Sequence, residues 1–218
     1  KRAFSLIRLY GFKIHSHLMV NLLGATPEAD KQDFKTFVTD PGFLPDEIKL
    51  YPCALVSGTQ LVQKYREGTW QPYAKDELVD VLVQDVLATP PYVRISRMIR
   101  DISATDILVG NKHTNLRQMV EQELAAEDVA NRVQEIRFRE INQQQVRAAE
   151  LTFQDFVYTT AVSDEHFLQW VTADNKIAGF CRLSLPHWDK LTSGVCDVAA
   201  NELLVQPGQA MIRELHVY

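Results

Sequence analysis

The stretch Phe12-Lys-Ile-His-Ser-His-Leu-Met19 decides the fold, because it begins a regular alternation of strands and helices. Its apolar and polar residues alternate, which predicts a strand with His15 and His17 on the same side of the pleat. Thr26 and Pro27 then predict the start of a helix, since threonine can accept a backbone hydrogen bond there and proline needs no donor. The stretch is therefore the strand of a strand–helix unit.

Further strands and helices follow this unit in strict order. The hydrophobic pattern predicts helices at 1–10, 27–38, 76–89 and 115–126 and strands at 48–56 and 92–102. Strands that alternate with helices are typical of βα units, in which the strands are parallel. Residues 1–128 are therefore expected to form the second half of a parallel βα barrel or of an open α/β sheet.

The pattern changes near residue 129. Residues 133–139 alternate between apolar and polar and precede a polar run. Further on, the apolar runs 167–172 and 177–185 flank Ala173-Asp-Asn-Lys176, which predicts an antiparallel hairpin. The second part of the chain is therefore expected to contain antiparallel strands.

These changes predict the organisation of the chain. We expect a linker over 129–148 and a second unit over 149–218. The chain begins within an apparent helix and ends within the apparent strand 212–218. It is therefore expected to be an internal piece of a larger protein.

The composition narrows the class of protein. The net charge is −5 over 218 residues, so nucleic-acid binding would need a local basic patch. Cys53, Cys181 and Cys196 are widely spaced and odd in number, which argues against a disulfide framework, and no CxxC pair indicates a metal site. The sequence has no signal peptide and no apolar run near the roughly 20 residues of a membrane span. A soluble, cytoplasmic protein with no membrane partner and no metal site of its own is expected.

Four segments together match a known family. They are Phe12–Met19, Pro45-Asp-Glu-Ile-Lys-Leu-Tyr-Pro52, Arg97-Met-Ile-Arg-Asp-Ile102 and Ile212-Arg-Glu-Leu-His-Val-Tyr218. Their order, spacing and residues resemble those of the catalytic subunit of Elongator, the enzyme that modifies the wobble uridine of tRNA. The resemblance implies an α/β fold, with the C-terminal part of a radical S-adenosylmethionine (SAM) partial βα barrel over 1–128. It also implies the N-terminal strands of a GNAT-like acetyltransferase domain over 149–218.

The resemblance implies cofactors and partners as well. SAM, a 4Fe-4S cluster and acetyl-CoA are the implied cofactors of the intact enzyme. The three-cysteine motif for the cluster and the glycine-rich loop for acetyl-CoA would lie outside this chain, which is therefore expected to perform no chemistry by itself. The implied partner is tRNA, and association with other Elongator subunits or with a second copy is left open. The chain departs from its relatives at Val20 and Leu23, where prolines are common, and near Val133, where cysteine is common.

The first candidate site lies at the end of the first predicted strand. His15 and His17 share one face near a strand end, where barrel enzymes collect functional groups. Together with Met19 and Asn21 they are the candidates for contact with SAM. Hydrogen-bonded core histidines, and a plain βα connection at Asn21, are the alternatives.

The second candidate site is a basic surface for RNA. Lys49 and Tyr51 share a face of one strand, which suits a phosphate and a stacked base. Residues 94–117 carry five basic and two acidic side chains, a local net charge of +3. Ion pairs within the fold, a solvated lysine and a core tyrosine are the alternatives. The candidate RNA contacts are Lys49, Tyr51, Arg94, Arg97, Arg100, Lys112, Arg117, Arg137 and Arg139.

The third candidate site is the last predicted strand. In GNAT folds this strand splays from its neighbour and offers backbone groups to the pantetheine arm of CoA. The resemblance therefore assigns Leu215, His216 and Val217, with Glu214 beside them, to cofactor binding. Glu214 and His216 are also candidate general bases. An ordinary sheet strand is the alternative.

The leading hypothesis is a fragment of an Elongator-type tRNA uridine-34 acetyltransferase. The intact enzyme would use acetyl-CoA and a SAM-derived radical to make carboxymethyluridine. The competing hypotheses are another radical SAM enzyme with a different C-terminal domain and a non-catalytic RNA-binding module.

Overall fold

The computed structural model describes residues 1–99, 102–103, 105–110, 115–125, 127–142, 145–192, 203 and 205–218. Within them the chain forms a three-stranded parallel sheet with helices, followed by a four-stranded antiparallel sheet. The predicted α/β class is therefore confirmed.

The parallel sheet has the strand order β1-β2-β4. Its strands are β1 His15–Val20, β2 Glu47–Pro52 and β4 Arg94–Arg97. Ile48, Leu50 and Ile95 are fully buried, because alternate side chains of a strand point to the same face and helices cover this one. His15 and His17 point to the opposite face and are exposed.

Helices precede and join the strands, and three of them cover the apolar face of the parallel sheet. They are α1 Arg2–Leu9, α2 Pro27–Thr39, α3 Leu61–Arg66, α4 Lys75–Ala88 and α5 Leu116–Leu124. Helix α2 begins as the sequence predicts, since the Thr26 hydroxyl accepts a hydrogen bond from the Ala29 N–H at 3.2 Å. Phe34 of α2, Leu82 of α4 and Val120 of α5 are buried in the same core as the strands.

Two strands are shorter than the sequence predicts. The run 48–56 leaves the parallel sheet after β2, and Leu55–Val56 forms β3, which pairs with β5 Ile107–Val109 in an antiparallel ribbon. Of the run 92–102, β4 is the only strand among the described residues. The predicted strand 48–56 is therefore divided between two sheets.

The antiparallel sheet has the strand order β6-β7-β8-β9. Its strands are β6 Thr152–Thr159, β7 Ser163–Val171, β8 Ile177–Pro186 and β9 Met211–Val217, and a short helix, α8 Trp188–Thr192, follows β8. The predicted hairpin joins β7 to β8, with Asn175 at φ +63°, a conformation that asparagine tolerates better than most residues.

The connecting region is helical rather than extended. It contains α6 Glu127–Ala130, α7 Ile136–Arg139 and a 3₁₀ turn at Ala148–Glu150. Glu135 begins α7, because its carboxylate accepts hydrogen bonds from the Phe138 N–H at 3.0 Å and from the Ile95 N–H at 2.6 Å. The alternating residues 133–139 are thus folded around a buried carboxylate that binds the backbone of β4.

One hydrophobic core continues across both sheets. It includes Ile48 and Ile95 of the parallel sheet, Ile136 of α7, and Phe167 and Phe180 of the antiparallel sheet. Because the core is shared, the domain boundaries at 128/129 and 148/149 stay a prediction.

A buried ionic cluster also joins the two sheets. Asp46, just before β2, is fully buried, and Arg213 of β9 donates to both of its carboxylate oxygens at 2.7 and 2.8 Å. Arg213 also lies 2.7 Å from Glu165 of β7, while Arg182 of β8 donates to the Tyr92 carbonyl at 2.6 Å. Burial opposes the charge of Asp46, but the arginines hold the pKa of this carboxyl well below its usual range. The cluster therefore holds β9 against the start of β2.

Candidate functional site

One face of the parallel sheet carries polar and aromatic side chains, and we call these five residues the polar face: His15, His17, Glu47, Lys49 and Tyr51. Across the sheet His15 lies opposite Glu47, and His17 lies opposite Lys49. The rings of His15 and His17 are 5.7 Å apart, and so are those of His17 and Tyr51. The structure thus brings predicted SAM contacts and predicted RNA contacts onto one surface.

A lysine links the polar face to β9. Lys13 Nζ lies 2.6 Å from Glu47 and 2.9 Å from Glu214. Burial alone would lower the pKa of Lys13, but the two carboxylates raise it above its usual value. His15 Nε2 lies 3.5 Å from Glu47, yet burial and the neighbouring cations lower the pKa of His15. His15 is therefore a neutral imidazole at pH 7, able to accept a hydrogen bond from a ligand.

Met19 and Asn21, at the carboxyl end of β1, contact the protein itself. Asn21 is buried at φ +62°; its side chain donates to the Gln71 carbonyl at 3.2 Å and accepts from the Tyr73 N–H at 3.0 Å. Met19 packs against the apolar cluster around Trp70. Both residues support the loop beside the end of β1, and their contact with SAM stays a prediction.

In the described part of the chain, β9 is an edge strand of the antiparallel sheet. The Tyr218 N–H donates to the Ala178 carbonyl of β8 at 2.9 Å, and alternate residues of an antiparallel ladder face the same neighbour. The backbone groups of His216 therefore face β8, whereas those of Leu215 and Val217 face the edge. Two of the three predicted pantetheine contacts thus present backbone groups at the edge of the sheet.

The two candidate general bases on β9 differ in their surroundings. The Glu214 carboxylate is ion-paired on both oxygens, with Lys13 at 2.9 Å and with Arg182 at 2.7 Å. The His216 ring is exposed and stacks on Phe180 at 5.6 Å between ring centroids. Glu214 is therefore engaged by two cations within the fold, whereas the His216 imidazole is accessible, and the role of either residue as a base stays a prediction.

The predicted RNA contacts on and near β4 are partly engaged in the fold. Arg94 donates to Glu140 at 2.8 Å, and Arg117 donates to Glu121 at 2.7 Å and to the Ile95 carbonyl at 2.8 Å. These contacts match the alternative of ion pairing within the fold.

The remaining RNA candidates on this side are more accessible. Arg97 and Arg137 are exposed, and Arg137 donates to the Ser96 carbonyl at 2.6 Å. Arg100 and Lys112 lie outside the described residues. The accessible basic side chains of this set are therefore Lys49, Arg97 and Arg137.

Arg139 does not lie on the predicted RNA surface. Its residue is 4% exposed, and its guanidinium donates to protein oxygens of Gln134, Pro91, Gln169 and Asn175. Burial lowers the pKa of Arg139 to about 10, so it remains charged at neutral pH. Its role in this structure is to hold the connecting region against the hairpin.

Sequence reasoning missed three residues of the site. Lys13 shares strand parity with His15, and Glu47 shares it with Lys49, so the same alternation rule would have found both. Glu140 carries no such signal, because its partners Arg94 and Tyr218 are 46 and 78 residues away. Long-range contacts of this kind arise only when the sheets pack.

The described residues differ in how well they suit the implied cofactors. Two exposed imidazoles suit contact with SAM, and the edge of β9 suits the amide groups of a pantetheine arm.

In the portion of the chain that the structure describes, no group of three or more His, Cys, Asp or Glu side chains could hold a metal ion. Nor does any helix of that portion have the length and apolarity required to cross a bilayer.

Known proteins resemble this chain over nearly its whole length. Residues 45–126 match the Radical_SAM C-terminal domain. A tRNA uridine(34) acetyltransferase of Dehalococcoides mccartyi is 35% identical over 99% of this chain and 45% of its own length. Elongator complex protein 3 of Homo sapiens is 29% identical over 99% of this chain and 38% of its own length.

A solved structure gives the same result. The archaeal Methanocaldococcus infernus Elp3 with an N-terminal deletion matches with a TM-score of 0.84 and 28% identity, over 99% of this chain and 49% of that chain. This chain thus spans less than half the length of the curated relatives named above. The resemblance drawn from the four motifs is confirmed: nearly the whole chain is similar to proteins of the Elongator catalytic-subunit family.

Proposed function

We propose that this chain is part of a tRNA uridine-34 acetyltransferase that makes carboxymethyluridine from acetyl-CoA with a SAM-derived radical. The observation that carries the proposal is the similarity of 99% of the chain to an enzyme named for acetyl transfer to this uridine. The direct link from the polar face through Lys13 to β9 gives further support, because a reaction between two ligands needs both sites held together.

In this proposal the polar face receives RNA and SAM. Lys49 supplies a cation for phosphate, and the exposed His17 ring offers a surface for a base. Tyr51 is buried, as the alternative of a core tyrosine predicts, and its ring packs edge-on against that of His17. Arg97 and Arg137 extend the basic surface beyond β4.

The edge of β9 receives the pantetheine arm of acetyl-CoA. Its amides can pair with the outward backbone groups of Leu215 and Val217 as an added strand would. His216 lies between them with an exposed imidazole. The side chains of Leu215 and Val217 are 70% and 76% exposed, so they can provide apolar contact to the same ligand.

SAM at the polar face, together with the 4Fe-4S cluster whose ligands are expected outside this chain, would supply the radical that activates the acetyl methyl group. The residues of this chain bind and orient the two substrates. His15, kept neutral by burial and nearby cations, and His216 are the groups that can accept a proton at the site.

The RNA part of the proposal is tested with the double variant Lys49→Glu/Arg137→Glu of the full-length enzyme. Because two cations are reversed, we expect tRNA affinity to fall at least tenfold at low salt and the salt dependence to become shallower. The matched control is Arg147→Glu, an exposed arginine of the connecting region. Wild-type affinity in the double variant would rule out this surface.

The reaction is tested with the full-length enzyme, tRNA, SAM and acetyl-CoA under reducing conditions. We expect CoA release and carboxymethyluridine at the wobble position, measured by mass spectrometry of the digested tRNA. A different modified nucleoside without CoA release would indicate another radical SAM enzyme. Binding of tRNA without any modification would indicate a non-catalytic RNA-binding module.

A further inference from the structure

A single carboxylate oxygen joins the parallel sheet to the end of β9. Glu140, just after α7, is buried, and its Oε1 accepts hydrogen bonds from Arg94 Nε at 2.8 Å and from the Tyr218 hydroxyl at 2.9 Å. Arg94 belongs to β4, and Tyr218 directly follows β9. The Glu140 carboxylate therefore holds β4 and the end of β9 together, next to the edge residues Leu215 and Val217.

Tyr218 in turn restricts the ring of His216. The two ring centroids are 4.4 Å apart, and the His216 ring also stacks on Phe180 with an angle of 16° between the planes. An exposed imidazole between two aromatic neighbours has fewer accessible rotamers than one that projects freely into solvent. The position of the Tyr218 ring therefore decides where the His216 imidazole lies.

Both donors of this bridge keep their protons at neutral pH. Burial raises the pKa of the Tyr218 phenol well above its usual value, and Glu140 raises it further. Burial alone would lower the pKa of Arg94, but the hydrogen bond to Glu140 and the charge of that residue raise it. Both donors therefore keep the protons that their hydrogen bonds to Glu140 require.

We propose that Glu140 and Tyr218 are positioning residues, which hold the His216 imidazole and the edge of β9 in the geometry that an acyl-CoA thioester requires. This role rests on the proposed function, because it assigns the thioester to that edge. The backbone of Val217 faces the edge, and Tyr218 is the next residue, so movement of the Tyr218 ring moves the binding edge directly. Glu140 acts through Tyr218 and does not itself touch the ligand.

Three variants of the full-length enzyme test the proposal: Tyr218→Phe, Glu140→Ala and Glu140→Gln. We expect Tyr218→Phe to raise the KM for acetyl-CoA about five- to tenfold, the effect of one lost hydrogen bond, with tRNA affinity and melting temperature close to wild type. Glu140→Ala should raise this KM at least as much. Glu140→Gln should recover most of the loss, because an amide oxygen still accepts from both donors.

Tyr65→Phe is the matched control, since Tyr65 lies on α3 with its ring near Trp70. The measurements are the KM and kcat of tRNA-dependent CoA release, binding of acetyl-CoA by calorimetry, and thermal melting. A wild-type KM for acetyl-CoA in both Tyr218→Phe and Glu140→Ala overturns the positioning role. A loss of melting temperature with unchanged KM overturns it too, since a purely structural bridge predicts that result.

The proposed function and the positioning role fail in different ways. If the unaltered enzyme neither binds acetyl-CoA nor releases CoA, the proposed function fails and the positioning role fails with it. If the unaltered enzyme releases CoA but the variants match it, only the positioning role is overturned.

Discussion

Asp46 and Glu47 are neighbours in the sequence, but they lie in opposite environments. Asp46 is fully buried and receives two hydrogen bonds from Arg213, whereas Glu47 lies at the partly exposed polar face beside Lys13 and His15. The reason is strand geometry, which sends successive side chains to opposite faces. The charged pairs of this protein are therefore of two kinds. Buried pairs hold the sheets together, and partly exposed pairs remain available to a ligand.

The largest expected effect on stability is at the buried ionic cluster around Asp46. Arg213→Met removes the cation that the buried carboxylates of Asp46 and Glu165 share. It leaves Asp46 with the more distant Arg182 at 3.4 Å and Glu165 with Arg8 at 3.6 Å. We expect the free energy of unfolding to fall by about 3–5 kcal/mol, as when one partner of a buried ion pair is removed. Urea unfolding followed by tryptophan fluorescence measures this loss.

Arg147→Met is the control, because Arg147 forms an exposed ion pair with Glu150. The pKa of Asp46 is depressed in the folded state, so its contribution to stability is present above the unfolded pKa and is lost as the pH falls through the folded value. Equal unfolding midpoints for Arg213→Met and the control would show that the buried cluster does not join the sheets.

An intermediate effect on stability is expected at a buried carboxylate that accepts no hydrogen bond from an arginine in the described part of the chain. Asp85 of α4 is buried, and among the described residues neither of its carboxylate oxygens has a hydrogen-bond partner. Burial raises its pKa to about 8, and the charge of Asp30 adds to this. A raised folded pKa gives stability that is present at low pH and is lost between about pH 4 and pH 8 as the unfolded state, but not the folded one, releases its proton.

Asp85→Asn tests this by removing the ionisation. At pH 9 we expect the variant to be more stable than wild type by about 1–3 kcal/mol, because only wild type has a buried carboxyl to ionise, with a smaller difference at pH 5. Urea midpoints at pH 5, 7 and 9 measure the difference, and Asp80→Asn, at the exposed Lys31 pair, is the control. Parallel pH curves for wild type and Asp85→Asn would contradict the prediction.

The smallest effect on stability is expected at the partly exposed ion pairs of Lys13. Lys13→Met breaks two ion pairs that are a third exposed at the lysine, so we expect a loss of about 1 kcal/mol or less. Because Lys13 lowers the pKa of His15, its removal should raise that pKa. NMR titration of the histidine resonances measures the shift, with His166, which pairs with Asp155, as the internal reference. A fall in the free energy of unfolding as large as that of Arg213→Met, or an unchanged pKa of His15, would contradict the difference between the buried and the partly exposed ion pairs.

Much of the parallel sheet could be predicted from local pattern. The strand at His15, the helix capped by Thr26 and the hairpin between β7 and β8 follow from periodicity and turn chemistry that involve only nearby residues. The predicted strand 48–56 was wrong in detail, because the chain changes its pairing partner after β2. The alternation over 133–139 gave no sign that this region folds around the Glu135 carboxylate, which binds β4.

The site was predictable to a similar degree. Strand parity predicted that His15 and His17 share one face and that Lys49 and Tyr51 share one, and the structure places both pairs on the same face of the sheet. It could not separate Arg139, which is buried, from Arg137, which is exposed two residues away, because a helical turn replaces the extended alternation at that point. The predicted roles of these residues toward SAM, RNA and CoA stay predictions.

The α/β class, the resemblance to a known family and the shared face of His15 and His17 could be read from the sequence, because each depends on residues that lie close together within a segment. The tertiary structure alone decided which charges are buried and which strands they join. Arg213 meets Asp46 across 167 residues of sequence, and Tyr218 meets Glu140 across 78. Partners so far apart leave no local pattern, since only the packing of the two sheets brings them within hydrogen-bond distance.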